Sequence, residues 1–270
     1  MRCVAPSPER ASGLCAGLPI ALAMAVALTP AATTATPTKL FRAPSPGVQP
    51  FAVPRLAYDT YFWPGSNEVA SYPVTLGVTS GVLPLEKLRL EVGLDVIVPT
   101  RDPLSLNAKL GTPEGAMFAG SPAVAVGLYE IGVTSATALD VVYAVAGKRT
   151  QFGAFAVGGY VGTGRLLRSS SGAVHRAGVL AGVALPPIAV GRPWLQRVQV
   201  RWDVVTGRNV IGATGGGLAF VFLPSLSALI GPVVFFDPAQ QPGGVSWLWS
   251  VQLTVDLGAV SGPDAPWPGM

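Results

Sequence analysis

The stretch LRLEVGLDVIV, residues 88–98, decides the fold of this chain. Its even-numbered positions are all aliphatic, whereas its odd-numbered positions begin with Arg89, Glu91, Gly93 and Asp95. Successive side chains of a β-strand point to opposite sides, so this period of two predicts a strand with one aliphatic and one charged face. The charged face needs only water. The aliphatic face is a continuous stripe, and what covers it determines the class of protein.

The same alternation recurs along the chain and gives about twelve strand candidates between Leu56 and Leu257, separated by Pro- and Gly-containing turns. The Pro-bounded turn 99–103 joins residues 88–98 to a matching strand and so predicts a hairpin. Several candidates carry Ala or Gly on the inner face, which suits a narrow barrel. The candidates are 56–63, 71–79, 88–98, 104–110, 123–133, 138–147, 152–161, 174–185, 194–204, 209–222, 226–236 and 245–257.

Composition favours a membrane protein built from strands. The chain is 50% hydrophobic and 12% charged, with a mean hydropathy of +0.48, which is too apolar for an ordinary soluble domain. It also contains 33 Gly and 26 Pro, too many for long helices. Strands of about 9–11 residues match the length that a tilted strand needs to cross a bilayer. We therefore predict an all-β fold, a single antiparallel up-and-down transmembrane β-barrel of about twelve strands.

Two other folds compete with the barrel. Residues 209–236 contain no charged residue and would suit a membrane-spanning helix, but Gly215–Gly217, Pro224 and Pro232 interrupt them. In a helix interior each glycine costs about 1 kcal/mol and each proline about 3 kcal/mol relative to alanine. A soluble β-sandwich would need the aliphatic faces to pack together and would carry more charge outside.

The ends of the chain differ from this middle part. Residues 1–35 predict a cleaved secretory signal peptide, because Arg2 and Arg10 precede the apolar run 14–28 and small residues follow. An uncleaved anchor helix is the weaker alternative. Both cysteines lie in this segment, so the mature chain has neither a disulfide nor a thiolate metal site. We expect residues 36–54 to form a flexible Pro-rich periplasmic leader, 55–257 the barrel and 258–270 a Pro/Gly-rich tail.

Motifs that would indicate an enzyme are absent from the sequence. The single histidine, His175, would need a nucleophile and an orienting group, and outer-membrane phospholipase barrels carry a catalytic Ser two residues after such a His. Here that position is Ala177. The glycine-rich runs lack the context of a phosphate loop, and no cluster of metal ligands is visible. We therefore predict no catalytic residue, metal or cofactor. The basic residues are scattered, which gives no support for nucleic-acid binding.

The inward-facing polar residues are the most informative set for function. Ten of them are charged, five basic and five acidic, and a balanced set argues against strong ion selectivity. Such charges either line a weakly selective water channel or form structural ion pairs that fill the lumen. The predicted loops are short apart from 162–173 and 237–244, so we expect neither large receptor loops nor a folded plug. The predicted lumen-lining residues are Arg89, Glu91, Asp95, Asn107, Lys109, Asp140, Arg176, Arg197, Arg201, Asp203 and Asp256.

With its signal segment, its strand count and the Leu-Pro-Ser-Leu turn at 223–226, the chain resembles the Gram-negative outer-membrane β-barrels of about twelve strands. The resemblance covers residues 56–257 and is closest to small outer-membrane proteins and transporters without an assigned solute. It implies residence in outer-membrane lipid, insertion by the barrel-assembly machinery and a passive transport or envelope role. One departure is that the last strand ends at Leu257 rather than on the aromatic residue that often serves as an insertion signal.

These expectations lead to one main hypothesis and two alternatives. The main hypothesis is an outer-membrane barrel that acts as a narrow channel or transporter for small solutes, with a charge-balanced lumen. The first alternative is a closed structural or envelope-interaction barrel with no transport. The second, weaker alternative is a barrel enzyme that acts on lipid through His175.

Overall fold

Twelve strands of the computed structural model close into one antiparallel barrel, and a thirteenth short strand extends its wall. The structure describes residues 38–63, 72–99, 103–132, 139–163 and 166–258. The strands are β1 (Pro54–Phe62), β2 (Val74–Gly81), β3 (Arg89–Val98), β4 (Leu104–Thr112), β5 (Ala123–Gly132), β6 (Val141–Thr150), β7 (Gly153–Gly162), β8 (Ala177–Ala184), β9 (Ile188–Arg192), β10 (Leu195–Val205), β11 (Ala213–Leu223), β12 (Leu226–Phe235) and β13 (Trp247–Asp256).

The barrel closes because β13 pairs with β1 along almost its whole length, from Arg55 opposite Asp256 to Phe62 opposite Trp249. Around the rest of the ring, sequential strands pair antiparallel, except that β8 pairs with β10 and β9 adds a short hairpin to the start of β10. The predicted all-β, up-and-down barrel of twelve strands is therefore confirmed. Strand β9 was not predicted, because all five of its residues are exposed and give no alternation of faces.

The stretch that suggested the fold is β3, and its two faces are inverted relative to a soluble protein. Val92 and Leu94 are 41% and 36% exposed on the outside, whereas Glu91 and Asp95 are 1% and 0% exposed on the inside. The same inversion recurs around the ring, so the outer surface is aliphatic and the interior holds the charges. This arrangement excludes a sandwich, in which the aliphatic faces would pack against each other.

The two ends of the barrel differ. At the terminal end, where β1 begins and β13 ends, the connections include the two-residue turn between β11 and β12. At the opposite end, here called the loop end, longer loops fold over the lumen. Leu167, from the loop between β7 and β8, is completely buried against Leu139, Val210 and Ile211. The loop end is thus covered by an apolar cluster.

The chain that precedes β1 lies inside the barrel. Residues 38 and 40–49 are all buried, and Lys39 is half-buried. The prediction of a flexible periplasmic leader over residues 36–54 therefore differs from the structure for its described part, and so does the expectation that no plug is present. The physical reason is that a twelve-stranded wall leaves more interior space than its own side chains fill.

Other predicted segments lie outside the described residues, namely the signal peptide, residues 1–35, and nearly all of the C-terminal tail, residues 259–270. Among the residues that the structure does describe, no helix has the length and apolar character needed to cross a membrane.

Candidate functional site

The candidate site is the lumen together with the segment that occupies it. Residues 38–45 form a tight hairpin, here called the inner hairpin. Lys39 pairs with Pro44, the Leu40 N–H donates to the Ala43 carbonyl at 3.0 Å, and the Ser45 N–H donates to the Thr38 carbonyl at 3.0 Å. Residues 46–50 then lead back to the terminal end. The lumen is thus filled by a folded element rather than by a loose strand.

The tip of the inner hairpin is held by one carboxylate of the wall. Asp203, on β10, accepts three backbone hydrogen bonds through Oδ2, from the N–H groups of Phe41, Arg42 and Ala43, at 2.9, 2.6 and 2.6 Å. All four residues are buried. Three converging amides are an anion-binding arrangement, and they satisfy a carboxylate that would otherwise be expensive to bury. Asp203 and the tip of the inner hairpin therefore need each other.

A second attachment lies on the opposite wall. The carboxylate of Glu91, on β3, accepts from the Thr38 N–H at 3.0 Å, from the Thr38 hydroxyl at 2.9 Å and from the Gln49 N–H at 2.7 Å. Lys109, on β4, lies 3.0 Å from Glu91 Oε1 and also donates to the Thr38 carbonyl at 3.0 Å. In the ring β3 and β10 are six strands apart, so Glu91 and Asp203 hold the inner hairpin from diametrically opposite sides.

Further polar contacts fix the sides of the inner hairpin. Lys39 forms an ion pair with Asp59 on β1, and Gln252 on β13 donates to the Phe41 carbonyl at 2.9 Å. Arg42 lies over the ring of Phe235, 5.3 Å from its centroid, a cation–π distance. These contacts come from five different strands when Asp203 and Glu91 are included. The inner hairpin is therefore bound to the wall mainly through charges and hydrogen bonds.

Inward-facing glycines make room for the inner hairpin. A Cβ built at Gly182 would lie 2.6 Å from Leu40 Cδ1, and one built at Gly215 would lie 2.6 Å from Phe41 Cε1. At Gly81 a Cβ would lie 2.2 Å from the Pro50 carbonyl oxygen. Distances this short are not tolerated, so these positions need glycine for close approach. The small inner residues seen in the sequence therefore accommodate a segment of the same chain.

The structure places the predicted lumen-lining residues in three groups. Six are buried on inner faces, three are half-buried at inner positions of strands, and two lie at the loop end outside any strand. Asp140 is half-buried just before β6, and Arg176 is exposed just before β8, so Arg176 does not line the lumen. The strand parity was extended there beyond the end of the strand. The buried group is Glu91, Asp95, Asn107, Lys109, Asp203 and Asp256, and the half-buried group is Arg89, Arg197 and Arg201.

Two sets of functional residues escaped the sequence reasoning. The first is on the wall: Arg55 forms a two-pronged ion pair with Asp256, at 2.8 and 3.1 Å, and Asp59 binds Lys39. Both residues occupy inner positions of β1, so the period-two rule could have found them. The second set is on the inner hairpin, where no strand periodicity exists to mark Lys39 or Arg42.

His175 occupies a structural position in the loop before β8. Its backbone N–H donates to the Leu167 carbonyl at 3.0 Å, and its carbonyl accepts from the Asn209 side chain at 2.6 Å. Across the described ranges, no group of three or more His, Cys, Asp or Glu side chains is placed to hold a metal ion.

Comparisons with known proteins give only distant likenesses. No protein-family model matches the chain, and no curated protein matches it. An outer membrane channel from Pseudomonas putida F1 shares 10% identity with a TM-score of 0.41, over 78% of this chain and 97% of that chain. A chain solved in work on the in-meso crystallization of membrane proteins shares 14% identity with a TM-score of 0.43, over 76% of this chain and 84% of that chain. The fold assignment rests on the strand pairing of this chain itself.

Proposed function

We propose that this protein is a channel for small solutes in the outer membrane of a Gram-negative bacterium and that its inner hairpin closes it. The exposed aliphatic faces of the strands support contact with lipid, since an antiparallel barrel can expose such faces in a bilayer without leaving backbone groups unpaired. Under this proposal outer-membrane lipid surrounds the barrel and the barrel-assembly machinery inserts it.

The observation that carries the proposal is the polar attachment of the inner hairpin. Buried ion pairs such as Lys109–Glu91 contribute little net stability compared with apolar side chains of similar volume. A barrel with a purely structural role would be filled more favourably by apolar groups. Charged groups on the wall are favourable when the wall is also exposed to water, because they are then fully solvated. The polar lining therefore suits a lumen that alternates between occupied and hydrated states.

The width of the barrel agrees with this proposal. Barrels of about 8 strands are filled by their own side chains, whereas those of about 16–18 strands enclose an aqueous channel. A twelve-stranded barrel lies between these limits, and here the inner hairpin fills the difference. Withdrawal of the inner hairpin would leave a narrow passage beside Asp59, Glu91, Asp203 and Gln252. Such a passage suits small hydrophilic solutes. We assign no enzymatic role, since His175 has no hydroxyl nucleophile at the position occupied by Ala177.

The alternative is a closed barrel with a structural or envelope-interaction role. The observation that favours it is the apolar cluster at the loop end, where Leu167 is buried among Leu139, Val210 and Ile211. A passage would require this cluster to open as well. The two proposals differ in what happens when the inner hairpin is removed.

The test is planar-bilayer conductance of the full-length protein and of a variant that lacks residues 38–48. We expect rare openings in the full-length protein and frequent discrete steps in the deletion variant. Asp203→Asn, which keeps the side-chain volume but removes the charge that binds the hairpin tip, should give an intermediate frequency. Heat-modifiable migration on a gel verifies that each barrel is folded. A folded deletion variant that never gives discrete steps would refute the channel and favour the closed barrel.

A further inference from the structure

A recess with a basic margin lies in the inner wall at the terminal end, below the inner hairpin. Four residues form a row across neighbouring strands, since Arg149 on β6 pairs with Ala154, Ala154 pairs with Ala184, and Ala184 pairs with Arg201 on β10. The alternation of buried residues places these positions on the inner face. The two alanines are short and buried, so they form a floor between the two arginines.

The floor belongs to a cavity of about 240 Å³, lined also by Gln199, Thr150 and the loop between β8 and β9. Arg149, Thr150 and that loop are exposed, so the cavity opens to solvent at the terminal end. Ligand pockets for drug-sized molecules measure about 300–1,000 Å³, so this one suits a smaller solute. Access does not require the inner hairpin to move.

The charge of the recess is positive because Arg201 lacks an acidic partner. The other buried cations of the lumen have one: Arg55 pairs with Asp256, Lys109 with Glu91 and Lys39 with Asp59. Within the described ranges no carboxylate pairs with Arg201, whose Nε donates to the neutral amide oxygen of Gln199 at 3.0 Å. Its nearest listed electrostatic neighbour of like sign would be repulsive, which strengthens the demand for an anion.

The groups around the recess leave a net positive charge. Arg55 repels Arg201, and Arg197 occupies an inner position of the same strand. On the other side Glu114 is the one nearby carboxylate in the described part of the wall; it accepts the Arg149 backbone N–H at 3.1 Å and attracts the Arg149 guanidinium. Glu114 therefore balances one of the arginines, and the charge of Arg201 remains uncompensated.

We propose that this recess binds small soluble anions that carry phosphate or carboxylate groups. A guanidinium presents paired N–H donors that match two oxygens of such groups, and Gln199 offers an amide beside them. The recess faces the lumen, whereas the lipid-facing side of the same strands carries Phe155 and Trp202. The ligand is therefore a dissolved anion rather than a lipid headgroup. Resting on the proposed function, the recess would also concentrate anionic solutes at the entrance of the channel.

Binding is tested by titrating the full-length protein, in a non-ionic detergent at low salt, with sodium pyrophosphate in a calorimeter. We expect saturable binding with one site per chain. Arg201→Gln should weaken it about tenfold or more, since a hydrogen bond to a charged group is lost. Arg149→Gln, at an exposed position, tests the other side of the recess if Arg201→Gln does not fold. Arg208→Gln, in the loop between β10 and β11, is the matched control and should bind as the wild type does.

Absence of saturable binding in the wild type, or unchanged binding in the folded Arg201→Gln and Arg149→Gln variants, would overturn the site. The reversal potential of the hairpin-deleted channel in a KCl gradient tests the second part of the proposal. We expect anion preference that declines in Arg201→Gln. A conducting channel without anion preference overturns the recruitment of anions but leaves the channel intact. Pyrophosphate binding without any conductance overturns the channel but leaves the site.

Discussion

The attachment of the inner hairpin to Asp203 yields the sharpest prediction. Asp203→Ala removes the acceptor of the Phe41, Arg42 and Ala43 N–H groups without altering the outer face of β10. The barrel wall keeps its backbone pairing, because the Asp203 backbone remains in the ladder with β8 and β11. The substitution should therefore act on the docking of the inner hairpin rather than on the barrel.

The magnitude follows from the number and burial of these hydrogen bonds. A hydrogen bond to a charged acceptor contributes about 1.5–3 kcal/mol, and three at one oxygen are not additive. Removing one partner of a buried charged interaction typically costs about 3–5 kcal/mol. Since about 1.4 kcal/mol corresponds to a factor of ten, the undocked population should rise between about a hundredfold and several thousandfold.

The assay is the rate at which a maleimide reagent labels a cysteine placed at the hairpin tip. Ala43→Cys is suitable because Ala43 is fully buried in the docked state, and Cys3 and Cys15 are replaced by serine to remove other thiols. When docking is fast compared with labelling, the rate reports the undocked population. We expect Asp203→Ala to raise the labelling rate of the cysteine at position 43 by at least about tenfold, even if relaxation recovers part of the loss.

The matched control is Asp237→Ala, which removes a carboxylate that accepts the Ser170 N–H at 2.7 Å in the loops. It should leave labelling at position 43 unchanged. Equal labelling rates with and without Asp203, in barrels that remain heat-modifiable, would show that the carboxylate does not hold the inner hairpin.

Three further predictions concern the wall. Gly182→Ala should lower the free energy of unfolding by about 1–3 kcal/mol through overpacking against the inner hairpin, whereas Gly159→Ala, with only one neighbour at 3.4 Å, should have little effect; chemical unfolding in detergent compares them, and equal losses would contradict the packing. Val92→Arg should cost about 2–4 kcal/mol in a bilayer if it lies near the midplane and Val92→Leu almost nothing, so equal stability of the two variants in lipid would contradict lipid contact. Lys109→Met should destabilise by about 3–5 kcal/mol because it leaves the Glu91 charge without its cation, and adding Glu91→Gln should restore part of the loss; a strictly additive double variant would argue against the ion pair.

The strands could be predicted from the sequence because their pattern is local. On β3, residues two apart share a face, so Glu91 and Asp95 were assigned to the interior without any knowledge of their neighbours. The twelve predicted segments correspond to the twelve strands of the ring for this reason. The same rule was wrong for Arg176, which lies one residue before β8, where the extended backbone has not yet begun.

The inner hairpin could not be predicted because its partners are distant in sequence. Glu91 binds Thr38 across 53 residues, and Asp203 binds Phe41 across 162 residues. Residues 38–50 have neither strand nor helix periodicity, and their proline content is equally typical of an exposed linker. The predicted balance of five basic and five acidic inner residues also hid their arrangement, since pairing neutralises Lys109 and Glu91 and leaves Arg201 uncompensated.

The diametric placement of Glu91 and Asp203 has a mechanical consequence. A barrel without internal supports can flatten toward an ellipse when the lateral pressure of the surrounding bilayer changes. The inner hairpin spans the lumen between β3 and β10 and therefore acts as a strut along one diameter. Flattening along that diameter compresses the strut, and elongation stretches the hydrogen bonds at its two ends. Changes in membrane tension or thickness would thus be felt directly at the two carboxylates that keep the inner hairpin in place.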